Sequence, residues 1–252
     1  MRAGLVRYKT PGEIEKIRDA GRIIAEIFRH LAGIPLDGMS TWELDTIIDT
    51  MINRKKARPA FKTVAGYSHS SCISINNEVV HGVPSKKKRL KDGDIVKVDI
   101  GVALNGFFGD ACTTIMVGRV SGPAERLVMA ARESLRKGIG AMVTGGRLGD
   151  IGGTIQEYAE SLGYSVVRTF TGHGIGYELH EFPVVPHYGK RGKGMQLQEG
   201  LVLAIEPMIN EGGNQVVTLE DGWTTVTADG SLSAQFEHTV ALTSRGPLVL
   251  TD

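Results

Sequence analysis

The pattern of apolar and polar positions switches between helical and strand-like periods along the chain. The helix-start pattern Thr10-Pro11-Gly12-Glu13 opens an amphipathic run to about Leu31, and a second helix opens at Ser40-Thr41. From about Phe61 the chain reads as strands, and helices return at about 123–137 and 148–162. Strand patterns then continue to the end. This order of elements predicts a mixed α/β (α+β) protein.

Residues 97–112 carry two aspartates in a mostly apolar stretch. Asn105-Gly106 lies between alternating apolar residues, which is a strong signal for a two-residue hairpin loop. That register places Asp99 opposite Cys112, with Asp110 on the same face and within about 7–8 Å of Asp99. Because two carboxylates this close repel each other, the hairpin needs a cation or a shared proton.

The second half of the chain repeats features of the first at an offset of 107 positions. Leu90–Asp99 aligns with Leu197–Glu206 without a gap, and an acid ends both segments. Asp37-Gly38 aligns with Thr144-Gly145, each just before a predicted helix. We therefore predict a single domain over residues 1–252 with an internal repeat, about 10–120 and 121–252, and a site between its halves.

Acids in the second half extend the pattern. By the repeat, Glu206 takes the position of Asp99, and Glu237 lies in a late strand as Asp110 does. Each acid alone also fits an exposed charge or an ion pair, but four carboxylates that meet would be balanced by two divalent cations. Oxygen-rich sites with one imidazole suit Mn, Fe, Co or Zn. The candidate imidazoles are those of His81, His173, His180, His187 and His238.

Composition narrows the class of protein. The chain has 252 residues, of which 41% are hydrophobic and 23% charged, as in globular proteins with a sizeable core. A net charge of +1 gives no argument for nucleic acid or an anionic membrane. The sequence lacks an apolar run of about 18 residues and a signal-peptide pattern. Two cysteines, Cys72 and Cys112, suggest no disulfide framework, so a cytoplasmic location is expected.

Several segments resemble those of type I methionine aminopeptidases, namely HGVP, DIGVALNGFFGDACTT, TGHGIGYELHEFP, IEPM and DGWTTVTADGSLSAQFEHT. The resemblance extends from about Thr10 to Leu250. It implies a single catalytic domain with the pita-bread fold, in which pseudo-twofold halves of antiparallel β-sheet carry helices on the outer face. It also implies removal of the N-terminal methionine from nascent proteins and peptides by metal-dependent hydrolysis, favouring a small second residue. Neither the helical insertion of type II relatives nor an N-terminal extension is expected.

The resemblance assigns two divalent metal ions to residues of this chain. Asp99 would hold one metal, His173 and Glu206 would hold the other, and Asp110 and Glu237 would bridge both.

Catalytic and binding roles also follow from the resemblance. Glu206 would accept a proton from the attacking water, His180 would hydrogen-bond the scissile carbonyl, and His81 would lie beside the scissile amide. Asn76 and Ser233 match a family site for a monovalent cation. The pocket for the methionine side chain would be lined by Tyr67, Cys72, Leu179 and Trp223. Positions that differ from residues frequent in the family, and so leave the second-residue preference open, are Phe61, Val64, Leu179 and Phe182.

Three other interpretations are compatible with parts of the pattern. Proline-specific aminopeptidases and prolidases share the five ligands but normally carry an extra N-terminal domain. A non-catalytic relative that binds partners or RNA would have lost ligands, whereas all five candidates are present. A cysteine peptidase would use Cys72 or Cys112, but both lie in apolar strand patterns where an inert buried thiol is usual.

The strongest run of charge is Lys86-Lys87-Lys88-Arg89, followed by Lys91. It is explained without a partner as a solvated turn, and the functional alternative is contact with ribosomal RNA near emerging chains. The expected partners are therefore nascent polypeptide N-termini and a transient ribosome contact, with no membrane and no DNA. The expected state is a monomer.

Overall fold

The computed structural model describes residues 4–252 of the chain. The helix starts predicted at Thr10 and Ser40 are confirmed, because each hydroxyl accepts the backbone N–H three residues on and each capping acid bonds back. The third helix runs a few residues further than the pattern predicted. The four α-helices in this part of the chain are α1 Pro11–Ala32, α2 Thr41–Arg54, α3 Gly122–Gly140 and α4 Leu148–Ser161.

Strands occupy the regions that the alternating pattern predicted. Before α3 they are β1 Arg58–Pro59, β2 Ser71–Ile75, β3 Glu78–Val80, β4 Ile95–Leu104 and β5 Phe107–Met116, with a 3₁₀ turn at Phe61–Thr63. After α4 they are β6 Ser165–Val166, β7 Gly172–Gly174, β8 Glu181–Val185, β9 Val202–Ile205, β10 Met208–Asn210, β11 Val216–Thr218, β12 Thr225–Thr227, β13 Ser233–Gln235, β14 His238–Thr243 and β15 Gly246–Val249.

The sheets are antiparallel, and β4 and β5 of the first half contact β13 and β14 of the second. In the first half β4 pairs with β5 along one edge and with β1 and β2 along the other. In the second half the strand order is β15-β14-β9-β7-β8. Two small sheets, β13-β10-β6 and β11-β12-β3, complete the structure. The second of these joins a strand of the first half to strands of the second half.

Each half has its own apolar core. In the first, α1 and α2 bury Ile24, Leu44 and Ile48 against the β2-β4-β5 sheet. In the second, α3 and α4 bury Leu127 and Ile151 against β9, β10 and β14. Since each fully buried side chain of this size contributes about 1.5–3 kcal/mol, the two cores hold the sheets rigidly where the halves face each other.

The same turn precedes the second helix of each half. Gly38 N–H donates to Leu90 O at 2.9 Å, and Gly145 N–H donates to Leu197 O at 2.9 Å. Both glycines have positive φ, 80° and 85°, a region that a side chain disfavours. These contacts lie at the spacing of the sequence repeat. The boundaries of the two repeats stay a prediction.

A membrane anchor of helical type is not found in the described residues: none of the helices within 4–252 combines the length and the apolar character needed to cross a bilayer.

Candidate metal centre and active site

The five predicted ligands lie within or directly beside strands of both halves. Asp99 is in β4, Asp110 in β5 and His173 in β7. Glu206 directly follows β9, and Glu237 lies between β13 and β14 rather than within a strand as the sequence pattern predicted. The site therefore depends on how the two halves dock.

The hairpin register predicted from Asn105-Gly106 is confirmed. Asp99 lies opposite Cys112, and Asp110 lies opposite Gly101. Cys112 in turn joins the halves, since its carbonyl accepts from Glu237 N–H at 2.8 Å and its own N–H points to Glu237 O at 3.4 Å. Two acids of the first half are thus held beside one acid of the second.

Glycines bring the His173 strand close to its neighbours. A Cβ on Gly172 would lie 2.3 Å from the carbonyl oxygen of Ala204 in β9, and one on Gly174 would lie 2.5 Å from that of Phe182 in β8. Neither contact is compatible with a side chain, so both positions need glycine. Close approach of neighbouring backbones is a role to which glycine is suited, because it has no Cβ.

His173 presents a lone pair to the acids. Its Nδ1 lies 2.9 Å from Gly174 O, and because a carbonyl can only accept, we assign the proton to Nδ1. Nε2 then faces Asp110 Oδ2 at 3.9 Å and Glu206 Oε1 at 3.6 Å. Burial, with repulsion from His180, lowers the pKa of His173 to about 3, so the ring is neutral. These contacts are therefore not ion pairs.

Several acid oxygens at this place have no hydrogen-bond partner. They are buried and unpaired within the described residues, and they belong to Asp99 (Oδ1), Asp110 (Oδ1) and Glu237 (Oε1). Ligand atoms of Asp110, His173 and Glu237 all lie within 4.8 Å of one another. An unpaired buried carboxylate is costly, and a cation is the partner that would satisfy several at once.

The pKa values of these acids also indicate a site for a cation. Burial raises the pKa of Asp110 to about 7. Burial and repulsion from neighbouring acids raise the pKa values of Asp99, Glu206 and Glu237 well above their ordinary range. A divalent cation reverses both effects, because it replaces the lost hydration and screens the repulsion. The donor set of four carboxylates and one neutral imidazole fits such a metal.

Two further histidines adjoin the acid cluster. The ring of His180 lies 4.5 Å from that of His173 at a 73° angle. His81 follows β3 with a φ of 58°, a conformation that non-glycine residues seldom adopt and that is frequent at functional sites. Its ring lies 5.3 Å from Phe170 and 6.5 Å from Trp223. Burial, with repulsion from His180, lowers the pKa of His81 to about 4.

The predicted pocket residues lie in one apolar cluster beside this centre. The rings of Tyr67 and Trp223 are 5.0 Å apart, and Tyr67 OH donates to Ser71 O at 2.8 Å. Cys72 lies opposite Asp99 in the β2–β4 register, next to the acids. The cluster includes Phe61, Val64, Tyr67, Cys72, Leu179 and Trp223.

Two residues support Glu206: His187, which the sequence offered only as one of five candidate imidazoles, and Gln235, which was not identified from the sequence. His187 is fully buried, and its Nε2 accepts the backbone N–H of Glu206 at 3.0 Å. Gln235 Nε2 donates to Glu206 Oε2 at 3.3 Å. Gln235 lies two residues before Glu237, so alternation along a strand was the available signal.

Asn76 and Ser233, predicted to hold a monovalent cation, lie together with an amine between them. Lys97 Nζ donates to Asn76 O at 2.7 Å and to Ser233 O at 2.8 Å. The sequence pattern did not single out Lys97.

The fold and this centre define a class of protein. Residues 15–244 match metallopeptidase family M24, and the chain belongs to that family. It is a metal-dependent hydrolase, and the α/β fold class and the family resemblance seen in the sequence are confirmed.

Particular relatives match almost the whole chain. A methionine aminopeptidase of Clostridium perfringens is 49% identical over 247 residues, which are 98% of this chain and 99% of the relative. The crystal structure of a methionine aminopeptidase from Thermotoga maritima is 45% identical with a TM-score of 0.96, covering 98% of this chain and 100% of that one. The prolidase from Pyrococcus furiosus shares the fold at 24% identity and a TM-score of 0.79, with 65% of its chain covered.

Proposed function

We propose that this protein removes the N-terminal methionine from peptides and nascent proteins by metal-dependent hydrolysis. The observation that carries the proposal is the acid cluster around a neutral His173, whose buried oxygens lack partners. The near full-length similarity to methionine aminopeptidases supports the choice of substrate.

Two divalent cations, of Co, Mn, Fe or Zn, are proposed for the centre. Asp99 would hold one, His173 and Glu206 the other, and Asp110 and Glu237 would bridge them. Charge supports this number, since two divalent cations balance four carboxylates. The ligand atoms from Asp110, His173 and Glu237 are near enough to share an ion. When bound, such metals lower the pKa of coordinated water and polarise a carbonyl oxygen.

The chain's own groups would position the peptide and move protons. Glu206 is proposed as the proton acceptor from the attacking water, and the amide of Gln235 holds its other oxygen. His180 would donate to the scissile carbonyl as charge develops on that oxygen, and His81 would lie beside the scissile amide. The lowered pKa of His81 keeps it neutral, so it can both accept and donate a hydrogen bond.

The apolar cluster next to the centre is proposed as the methionine pocket. The cluster suits a thioether, because the aromatic rings of Tyr67 and Trp223 are polarisable. Further apolar surface comes from Cys72 and Leu179. Phe182 is exposed two residues after His180. A preference for a small second residue is proposed from the family resemblance.

A ribosome contact through residues 86–89 has weaker support. Lys86 lies over the ring of Trp42 at 5.2 Å, and Lys88 pairs with Glu78 at 2.8 Å. Arg89 donates to a backbone carbonyl at 2.7 Å. Much of this charge is therefore engaged within the fold, which favours the solvated-turn interpretation. The proposal also includes nascent N-termini as substrates, a monomeric state and a cytoplasmic location. Both cysteines are free and buried.

Peptide hydrolysis after metal removal tests the function directly. Met-Ala-Ser and Ala-Pro-Ala would be compared in chelator and after adding Co, Mn, Fe or Zn. We expect metal-dependent release of methionine from the first peptide alone. Glu237→Gln should lose this activity, whereas Asp229→Asn on the surface should keep it. Cleavage of Ala-Pro-Ala instead would favour a proline-specific peptidase, and activity that survives complete metal removal would reject the mechanism.

A further inference from the structure

Lys97 is a buried lysine whose partners are backbone carbonyls rather than an acid. Its side chain is 1% exposed, and its Nζ bonds the carbonyl oxygens of Asn76 and Ser233. These partners lie 21 and 136 positions away in the sequence, so the amine links β4 to a turn and to a strand of the other half. Fully buried lysines are rare and usually pair with a carboxylate, so this arrangement requires an explanation.

The two carbonyls are held in place by contacts other than Lys97. Asn76 has a φ of 52°, and its side chain accepts from Ile95 N–H at 3.0 Å and donates to Asp94 at 2.8 Å. Ser233 N–H donates to Asn76 O at 3.1 Å. The oxygens would therefore keep their positions if the amine were absent.

Fixed, dehydrated carbonyl oxygens are the ligands that alkali cations accept in proteins. Burial disfavours a charge here and lowers the pKa of Lys97 to about 7, the negative charges of Glu78 and Asp94 favour a cation, and Lys88 opposes one. An amine with three donors suits the same oxygens, and its covalent attachment removes the entropy cost of capturing a free ion.

We propose that the Lys97 amine is a tethered cation that fills an alkali-metal site formed by the Asn76 and Ser233 carbonyls. The wild-type protein then binds no free Na⁺ or K⁺ there, and removing the amine opens the site to one. Lys97 lies two residues before Asp99 on the same face of β4, so the tether also positions that strand at the metal centre.

Thermal unfolding in matched salts tests the proposal. Wild type and Lys97→Ala would be melted in NaCl, KCl and choline chloride at equal ionic strength. The wild-type Tm should be the same in all three salts. Lys97→Ala should melt lower in choline and recover in Na⁺ or K⁺, by roughly 5–10 °C if the ion is present at about 100 times its Kd.

Two variants separate ion binding from general effects. Lys97→Met fills the space with a side chain that cannot bond the carbonyls, so it should lose stability without recovery in either ion. Lys88→Ala removes a lysine that pairs with Glu78 but does not vacate a carbonyl site. Its small loss of stability should therefore be the same whichever cation is present.

Several results would overturn the proposal. They are a wild-type Tm that rises specifically in Na⁺ or K⁺, and a Lys97→Ala protein that choline stabilises as well as Na⁺ and K⁺ do. If Lys97→Ala does not fold, rubidium-soaked crystals of the wild type decide: an anomalous peak between the Asn76 and Ser233 oxygens overturns the proposal, and its absence supports it. These measurements do not involve peptide hydrolysis, so their failure is distinct from failure of the proposed function.

Discussion

Replacing Asp110 with asparagine is expected to change the metal-free and metal-loaded proteins in opposite directions. The substitution keeps the shape of the side chain and removes one of four clustered negative charges. Without metal, the substitution removes the cost of burying an ionised carboxylate, and its repulsion of neighbouring acids, and should stabilise the fold near and above pH 7. With metal, the same change removes a proposed bridging ligand and should weaken metal binding. Such a reversal of sign is not expected from a purely structural residue.

The magnitude follows from the pKa of Asp110. Burial raises this pKa from its ordinary value of 3.8 to about 7. At 1.36 kcal/mol per unit, a shift of about three units destabilises the ionised form by at most about 4 kcal/mol. Asparagine still buries a polar group at a position where one oxygen has no partner. We therefore expect a net stabilisation of about 2 kcal/mol, or roughly 4–8 °C in Tm.

The pH dependence has a definite sign. Because the pKa is raised on folding, the folded metal-free protein binds more protons than the unfolded chain between about pH 4 and pH 7. The stability from protonated Asp110 is fully present below that window and is lost as pH rises through about 7. Calorimetry of chelator-treated wild type should therefore show Tm falling from about pH 5 to about pH 8, and Asp110→Asn should show less of this fall.

Asp229→Asn is a matched control, because the pKa of Asp229 is lowered on folding whereas that of Asp110 is raised. Hydrogen bonds from Ser231 and Gly213 lower the pKa of the exposed Asp229 to about 2, so its contribution is lost as pH falls and not as pH rises. This variant should gain no stability near neutral pH and should bind metal as wild type does. The reasoning fails if metal-free Asp110→Asn is no more stable than wild type at about pH 8, or if titration calorimetry finds its metal affinity unchanged.

Four other single substitutions have definite expected outcomes. Lys9→Met leaves the Glu181 charge buried without a cation, bonded only by the N–H groups of Tyr177 and Glu178, since both side chains of this ion pair are 2% exposed. Unfolding experiments should therefore show a loss of about 3–5 kcal/mol that Glu181→Gln partly restores. Gly172→Ala forces β7 away from β9, so Tm and the metal content of the purified protein should both fall. Cys72→Ser and Cys112→Ser should keep most peptidase activity, because burial raises both thiol pKa values and disfavours a thiolate nucleophile.

Much of the fold follows from local chemistry that a sequence displays. Helix starts were predictable because a hydroxyl and an acid three residues apart satisfy free N–H groups wherever they occur. The β4–β5 register was predictable because Asn105 and Gly106 adopt φ values of 51° and 82°, which few other residue pairs accept. That one turn fixes Asp99 and Asp110 on the same face, so half of the acid cluster was determined locally.

The residues that support the site were not predictable in this way. The Lys97 amine bonds backbone carbonyls far away in the sequence, and a carbonyl carries no residue-specific signal. In the sequence, Lys97 therefore looks like any polar position in an alternating strand. His187 poses the same problem, because its partner is the backbone N–H of Glu206. Glu206 itself was found because the repeat aligned it with Asp99 and because the family resemblance assigned it as a ligand.

Two sets of buried oxygen atoms at the junction of the halves are satisfied in different ways. The carbonyls of Asn76 and Ser233 are satisfied by an amine that is part of the chain, and that solution leaves no free coordination position. The acids around His173 are not satisfied this way among the described residues, because the neutral Nε2 offers a lone pair and the Gln235 amide donates only to Glu206. An exchangeable cation would satisfy them and would supply a position for water and a peptide. The cost of assembling these acids without metal is therefore the source of the metal affinity on which catalysis depends.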